Sequence, residues 1–366
     1  MKLALIGTRG IPAAYSGFET AVENLAAVFA ERGHEVVVYC RPHMTERHDE
    51  YRGARLVHLP TIRNKYLDTL AHTVISTGHM VTRDRPDVAL YFIAGNAPVV
   101  PLARLARVPS ILQIDGLDSE RAKWPAAAKA YLRFTERIAP WAATVTVTDS
   151  DAVAESYRAR YGRRIDAIPY GADLPDPGGT EWCDRLGVEP GRFILFVGRL
   201  VPENNAHLLV EAHRRSGTDW PLVVVGDAPY SEDYIAGLKR NAGPGVHFPG
   251  YVFGTGYGEL VHRCGIMCAP TEVGGTHPVI IEGLAAGACL VVSDHAPNLE
   301  VVGDAAAAFP LAPGAEGLAD TITALVSDPD RRRDLGERAR TRAAERFSWQ
   351  TCADRYLEIC TRIRRG

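Results

Sequence analysis

Short apolar runs that end in glycine or a polar residue alternate with helix-periodic stretches along the whole chain, a rhythm that suits parallel βα units and little else. In the first half the runs are Leu3–Gly7, Glu35–Cys40, Arg55–Leu59, Val88–Ile93, Ser110–Ile114, Thr144–Thr148 and Ile165–Ile168, with Thr20–Arg32 the clearest helix. Right-handed crossovers between such strands predict a doubly wound sheet. Periodicity then fails around Pro169 to Gly179, where chain breakers crowd together, and this stretch reads as an interdomain linker. It restarts with runs at Phe193–Val197, Leu222–Val225, Val246–Pro249, Ile266–Ala269 and Leu290–Ser293 and a strongly charged helix over Arg331–Arg346. The reading is α/β, with Rossmann-like domains over residues 1–172 and 173–346 facing each other across a cleft. Residues 347–366 begin a fresh amphipathic helix capped by Ser348, with Ala353, Tyr356, Leu357 and Cys360 at helical spacing, expected to cross back to the first domain.

Length agrees with that division, since 366 residues exceed one ordinary α/β core and suit two of about 150 to 200 residues. The apolar start is interrupted after five residues, so no secretory signal is expected, and no apolar run approaches the roughly 18 residues of a membrane span. Seven scattered cysteines fit reduced cytoplasmic thiols, and the close pair Cys264 and Cys268 lacks a second Cys/His pair to hold zinc. Residues 1–170 carry 22 Lys/Arg against 18 Asp/Glu, too slight an excess for a nucleic-acid footprint. Arg104, Arg107, Arg121, Lys123, Lys129, Arg133 and Arg137 can meet an anionic acceptor or a lipid surface, although solvated helix faces are the plainer reading.

Chemistry-bearing residues fall where such strands end. Gly7-Thr8-Arg9-Gly10 follows the first strand, and Ser16-Gly17-Phe18-Glu19 precedes the first helix, so Gly17 lets backbone approach an anion at a helix start. The spacing is wrong for a dinucleotide fingerprint, and the second strand ends Tyr39-Cys40-Arg41 rather than in an acid. In the second domain, Arg199 of Gly198-Arg199-Leu200 suits a departing diphosphate. The most informative stretch runs from Thr271 to Glu282: Glu272, then Gly274 and Gly275 leading into a helix start, then Glu282 about one turn beyond Pro278. Asp149-Ser150-Asp151 imitates a metal-binding pair, but its place between strand and helix reads as a cap.

Together these residues resemble family 4 of the retaining glycosyltransferases, with the GT-B architecture, along nearly the whole chain. Gly-Thr-Arg-Gly-Ile-Pro from Gly7, Asp115-Gly-Leu-Asp, Val201-Pro-Glu-Asn-Asn and Glu272-Val-Gly-Gly-Thr look like a bacterial rhamnosyltransferase subgroup of polysaccharide biosynthesis. The resemblance implies a hexosyl or deoxyhexosyl transfer from a nucleotide diphosphate sugar to a glycan, lipid-linked or small-molecule acceptor. It also implies front-face retention and no metal or other cofactor. Arg199, Glu272 and Asp115 become the catalytic candidates. Gly17, Arg199, Asn204, Asn205, Tyr251, Gly274, Gly275, Thr276, His277 and Glu282 become donor-side residues, and Glu19 and Asp115 acceptor-side ones. For Tyr251, packing on the base and plain core filling stay open, and for His277 a packing role precedes an acid–base one.

Three positions depart from the family pattern. Nine residues lie between Glu272 and Glu282, where the family's acid pair usually has seven residues between its members. Asn204 or Asn205 stands in place of a lysine that helps hold the diphosphate, and Asp115 stands where a histidine is frequent. Two facing Rossmann-like domains also serve epimerases and phosphorylases, and a sugar-nucleotide binding subunit without turnover fits the same motifs.

Overall fold

The computed structural model describes residues 1–13, 17–64, 67–120, 125–172, 176–228 and 231–365. Ser16, Arg121, Lys123 and the linker residues Asp173 to Pro175 therefore lie outside the described residues. The chain divides into two units, Met1–Gly171 with Ser348–Gly366, and Ala172–Phe347.

The first unit holds an eight-stranded sheet of β1 (Lys2–Ile6), β2 (Glu35–Cys40), β3 (Glu50–Tyr51), β4 (Ala54–His58), β5 (Val88–Phe92), β6 (Ser110–Ile114), β7 (Val145–Thr148) and β8 (Asp166–Ala167). Their order is β3-β4-β2-β1-β5-β6-β7-β8, parallel except for the short β3, which forms an antiparallel edge hairpin. Strand β5 is buried along its whole length, as a sheet covered on both faces requires. Helices α1 (Gly17–Glu31), α2 (Asp68–His79), α3 (Pro101–Leu105), α4 (Ala126–Ala142) and α5 (Asp151–Tyr161) make the crossovers. Tyr39, Tyr91 and Tyr157 fill the core, each with its hydroxyl bonded.

In the second unit, α6 (Glu181–Leu186) leads into β9 (Ile194–Val197), α7 (Ala206–Ser216), β10 (Leu222–Val225), α8 (Glu232–Asn241), β11 (Val246–Gly250) and α9 (Gly254–Arg263). Next come β12 (Ile266–Ala269), α10 (Pro278–Ala286), β13 (Leu290–Ser293), α11 (Ala296–Val302), β14 (Ala307–Phe309), α12 (Ala315–Ser327) and α13 (Pro329–Arg346). Its sheet is parallel throughout, in the order β11-β10-β9-β12-β13-β14. The chain then returns to the first unit as α14 (Trp349–Arg364). Ser348 caps that helix by accepting from Thr351 N, and buried Tyr356 donates to Gln113 Oε1 beneath β6. Gly171 permits the junction, because a Cβ there would stand 2.2 Å from Trp349 N.

Sequence periodicity located most of these strands to within a residue or two. It missed the edge strands β3 and β14, which have two and three residues and too little alternation to register.

One buried group ties the first unit's stability to pH. His72 of α2 is fully buried with Nε2 3.1 Å from Cys40 O, and burial pushes its pKa down to about 4, helped by the Arg41 charge. The unfolded chain, with an ordinary imidazole, takes up this proton first. The stability the neutral ring contributes is therefore present above about pH 6.5 and lost as pH falls toward about 4. We expect urea unfolding at stepped pH to show a decline on the order of 2 to 3 kcal/mol across that window that His72→Gln removes. Parallel profiles for the two proteins would refute this.

Candidate active site

Between β9 and β12 the strand order of the second sheet reverses, so the loops leaving their C-terminal ends diverge and open a crevice. The first loop carries Gly198 to Asn205 and the second Pro270 to His277. Asn205, at φ 55°, joins them: its Nδ2 donates to Pro270 O at 3.0 Å and to Glu272 Oε2 at 3.2 Å. Asn204 Nδ2 donates to Arg199 O at 2.8 Å, and Glu272 N donates to Glu203 O at 3.2 Å. The amide nitrogens of both asparagines are thus committed to holding the loops. Arg199 is half-buried, and among the described residues its guanidinium takes part in no hydrogen bond or salt bridge. It can meet an anion without first breaking an internal pair. Gly226, at φ 132°, lets the loop after β10 close on this one, since a Cβ there would stand 1.9 Å from Gly198 O.

Beneath the same loop lies a carboxylate that sequence reasoning passed over. Glu203 is 1% exposed, and neither carboxylate oxygen has a hydrogen-bond partner among the described residues. Burial pushes the nearby Tyr234 phenol up to about 12, and the charges of Glu203 and Glu272 add to it. In sequence Glu203 looks like any solvated acid, and only the tight 3-10 turn over Pro202–Asn204 buries it.

The second loop is held from behind. Gly274 adopts φ 124°, a conformation that favours glycine, and its carbonyl lies 3.0 Å from His295 Nε2. Ser293 Oγ donates to Thr271 O, while Asn298 Nδ2 reaches Thr271 Oγ1 at 3.1 Å and Ser293 Oγ at 2.9 Å. Ser293 and Asn298 are both fully buried. Gly275 and Thr276 are buried in the loop, and His277 occupies the N-cap position of α10 with Pro278 as first helical residue. The partial positive charge of that helix start adds to the loop amides as an anion site.

Glu282 stands one turn into α10 and accepts a hydrogen bond from the hydroxyl of Tyr257 on α9. Burial and the Glu282 charge together push this phenol well above its ordinary value, so the bond keeps its proton on the tyrosine. Nothing in the sequence spacing linked these residues. Tyr251 is 45% exposed and stacked on Phe253 with centroids 5.6 Å apart, so the core-filling reading does not hold: the pair forms an aromatic shelf beyond β11.

The first unit has its own cluster at the reversal between β1 and β5. Gly17 opens α1, and buried Glu19 accepts from Arg9 N at 3.1 Å, tying the loop after β1 to that helix. Asp115 is half-buried directly after β6. Burial first, and then carboxylates that include Asp115, push the phenols of Tyr157 and Tyr170 well above their ordinary value. Arg41 is spent internally, with Nη1 3.0 Å from Asp68 Oδ2 and Nη2 2.9 Å from Thr69 Oγ1. Ser150 caps α5 through Val153 N at 3.2 Å, as its place in the chain predicts. Among the described residues no group of three His, Cys, Asp or Glu is placed to hold a metal, and no helix is long and apolar enough to cross a membrane.

The Asn298 clamp makes a testable claim. Asn298→Ala leaves Thr271 and Ser293 short of a buried donor, at a cost of about 1–3 kcal/mol of stability. We also expect weaker calorimetric binding of pyrophosphate, and a variant equal to wild type in both respects would count against the clamp.

Comparison with known proteins joins the two clusters to one family. The family described as Glycosyl transferases group 1 matches residues 182–342, and the Glycosyl transferase 4-like domain matches residues 16–171. A glycogen synthase of Mycobacterium tuberculosis is 24% identical over 100% of this chain and 96% of its own length. From the same species, a GDP-mannose-dependent alpha-(1-6)-phosphatidylinositol dimannoside mannosyltransferase is 27% identical over 92% and 90%. The alpha-maltose-1-phosphate synthase of Mycolicibacterium smegmatis is 28% identical over 63% of this chain and 66% of its own length. In fold, the chain matches Anabaena HepE in complex with UDP and glucose at a TM-score of 0.80, with 19% identity over 99% of each chain. With both matched domains in chain order and the fold in agreement, the chain belongs to the GT-B glycosyltransferases.

Proposed function

We propose that the protein is a retaining, metal-independent transferase that moves a hexosyl or deoxyhexosyl group, rhamnosyl included, to a hydroxyl of a glycan or lipid-linked acceptor. The observation that carries this reading is the β9/β12 reversal, where the Arg199 guanidinium, in no ion pair among the described residues, and a glycine loop at a helix start share one frame through Asn205. The names of the relatives support hexosyl chemistry, and the resemblance to the rhamnosyltransferase subgroup rests on the motifs at Gly7, Val201 and Glu272.

In this reading the bond from the sugar's anomeric carbon to the donor phosphate breaks, and its electron pair stays on the phosphate oxygen. Arg199 and the amides around Gly274 and Gly275 stabilise that growing charge, the task a divalent ion performs elsewhere. The acceptor oxygen bonds to the anomeric carbon from the same face, and its proton passes to the departing phosphate. Glu282, aimed by Tyr257, accepts from the ribose hydroxyls. Glu272 orients the donor sugar, and Thr276 and His277 line the loop beside it. Tyr251 and Phe253 offer a stacking face to the base, while Gly17, Glu19 and Asp115 serve the acceptor side. The site of action is the cytoplasm, at the inner face of the membrane. Support for that comes from α3 and α4, which expose Leu105, Phe134 and Trp141 beside Arg104, Arg133 and Arg137.

A thermal-shift screen of thymidine, uridine, guanosine and adenosine diphosphate sugars should reveal the donor by mass action. With that donor, Arg199→Ala is expected to lower kcat/KM by about 10² to 10³. Turnover should survive chelator, and the product anomer read by NMR should match the donor's; loss of activity in chelator or an inverted product would refute those parts. Tyr257→Phe should raise the donor KM about five-fold, more than it lowers kcat, because it loosens Glu282 without touching the reacting atoms.

A further inference from the structure

The loop after β9 that carries Arg199 also carries Glu203, whose carboxylate has no place in the transfer step described above. Val201 N and Asn204 Nδ2 both donate to Arg199 O, at 2.9 and 2.8 Å, and the 3-10 turn over Pro202–Asn204 then tucks Glu203 beneath the loop. Buried carboxylates elsewhere in the chain gather donors, as burial of a charge requires. Glu259 accepts from Trp182 N and Cys183 N, and Glu136 accepts from Ser119 N and Ser119 Oγ. Glu203 is 1% exposed, yet neither of its oxygens has a hydrogen-bond partner among the described residues. Its charge therefore acts on the surroundings without local donors to offset it.

The groups around it reinforce that charge. Glu272 on the facing loop donates its N to Glu203 O at 3.2 Å. Both carboxylates reach the Tyr234 phenol of α8, which burial first and then their charges push up to about 12. His207 of α7 has Nδ1 3.0 Å from the same hydroxyl, and burial lowers its pKa against the pull of Glu272, so no imidazolium offsets the pair near neutral pH. Residues 198–205 and 270–277 together hold one arginine against two glutamates, with His277 the remaining titratable side chain. The amides of Asn204 and Asn205 are committed to the loops themselves. An anion here meets Arg199, backbone amides and the start of α10 against a background of carboxylate charge. Such a site accepts a modest negative charge and penalises each further one, the more so where water is excluded.

We propose that Glu203 is a specificity-determining residue that favours the nucleotide sugar over the nucleoside diphosphate product, so that the reaction's own change of charge promotes release. The proposal deepens the transferase reading and rests on it. A nucleotide sugar is a doubly charged pyrophosphate diester. When the bond to the anomeric carbon breaks, the electron pair stays on the terminal phosphate oxygen and the acceptor's proton joins it, so the new diphosphate is still doubly charged. A phosphate monoester gives up its second proton near about pH 6, and in neutral water the product then loses it to solvent and becomes triply charged. Glu203 opposes that last species most, after transfer is complete.

Calorimetry on the full chain compares each nucleoside diphosphate with one of its own sugars: thymidine with rhamnose, uridine with glucose, guanosine with mannose and adenosine with glucose. For the pair that binds, the ratio of diphosphate Kd to nucleotide-sugar Kd should rise between about pH 5.5 and 7.5 as the terminal phosphate ionises. Glu203→Gln should lower that ratio about ten-fold at the upper end and flatten its rise. Contributions of His277 and His295 are common to both proteins and drop out of the comparison. Glu203→Leu, which needs no hydrogen-bond partner, is the second variant and should behave alike, since both remove a buried charge that has no partner to strand. Lost packing alone would shift both ligands by the same factor. An unchanged ratio in the folded variants, or a wild-type ratio that falls as pH rises, would therefore overturn the proposal while leaving nucleotide-sugar binding and the transferase reading in place. Absence of binding by all four pairs would sink both.

Discussion

A buried asparagine at the reversal of strand order holds each unit's ligand-facing end together. In the second unit Asn205 bonds the carbonyl after β12 and the Glu272 carboxylate on the neighbouring loop. In the first, Asn96 spans the carbonyls of Gly7 and Phe92 at the ends of β1 and β5. A parallel sheet leaves unpaired peptide groups where the connections leaving two adjacent strands diverge, and buried polar groups without partners are costly. A short side-chain amide satisfies both loops at once and fixes how far apart they stand.

Everything the candidate donor site offers depends on that spacing. Arg199 hangs from the loop that Asn204 and Asn205 brace, and Gly274 sits in the loop that His295, Ser293 and Asn298 hold from behind. Asn204, Asn205, Ser293 and Asn298 carry no charge of their own, so they set geometry without competing with an arriving diphosphate. Buried Glu203 is the exception, a carboxylate of the anion-facing loop whose oxygens have no hydrogen-bond partner among the described residues. Where the family that the sequence resembles usually has a lysine, Asn204 or Asn205 stands here, and Arg199 and the helix start supply positive charge to the loop pair.

Charge elsewhere is spent internally where burial demands it. Arg41, directly after β2, is pinned between Asp68 and Thr69. Desolvating an arginine is too expensive unless a carboxylate and a hydroxyl take up its donors. Arg133 and Arg137 on α4 are exposed and, among the described residues, take part in no ion pair. The same residue type thus acts as structure in one place and stays solvated in another, and burial separates the two.

Amino-acid order by itself determined the α/β class, most strands, the glycine loops, the Ser150 and Ser348 caps, and the candidates Arg199, Gly274, Gly275 and Glu282. Each of these rests on a local rule: apolar periodicity, glycine where backbone must turn, a hydroxyl where a helix starts. Tertiary structure decided which side chains meet. Tyr257 with Glu282, Asn298 with Thr271, Asn205 with Glu272 and Asn96 with Gly7 are 25, 27, 67 and 89 residues apart. It also turned Tyr251 outward and buried Glu203. Such contacts form only when crossovers bring distant strand ends side by side, so no spacing along a single chain announces them.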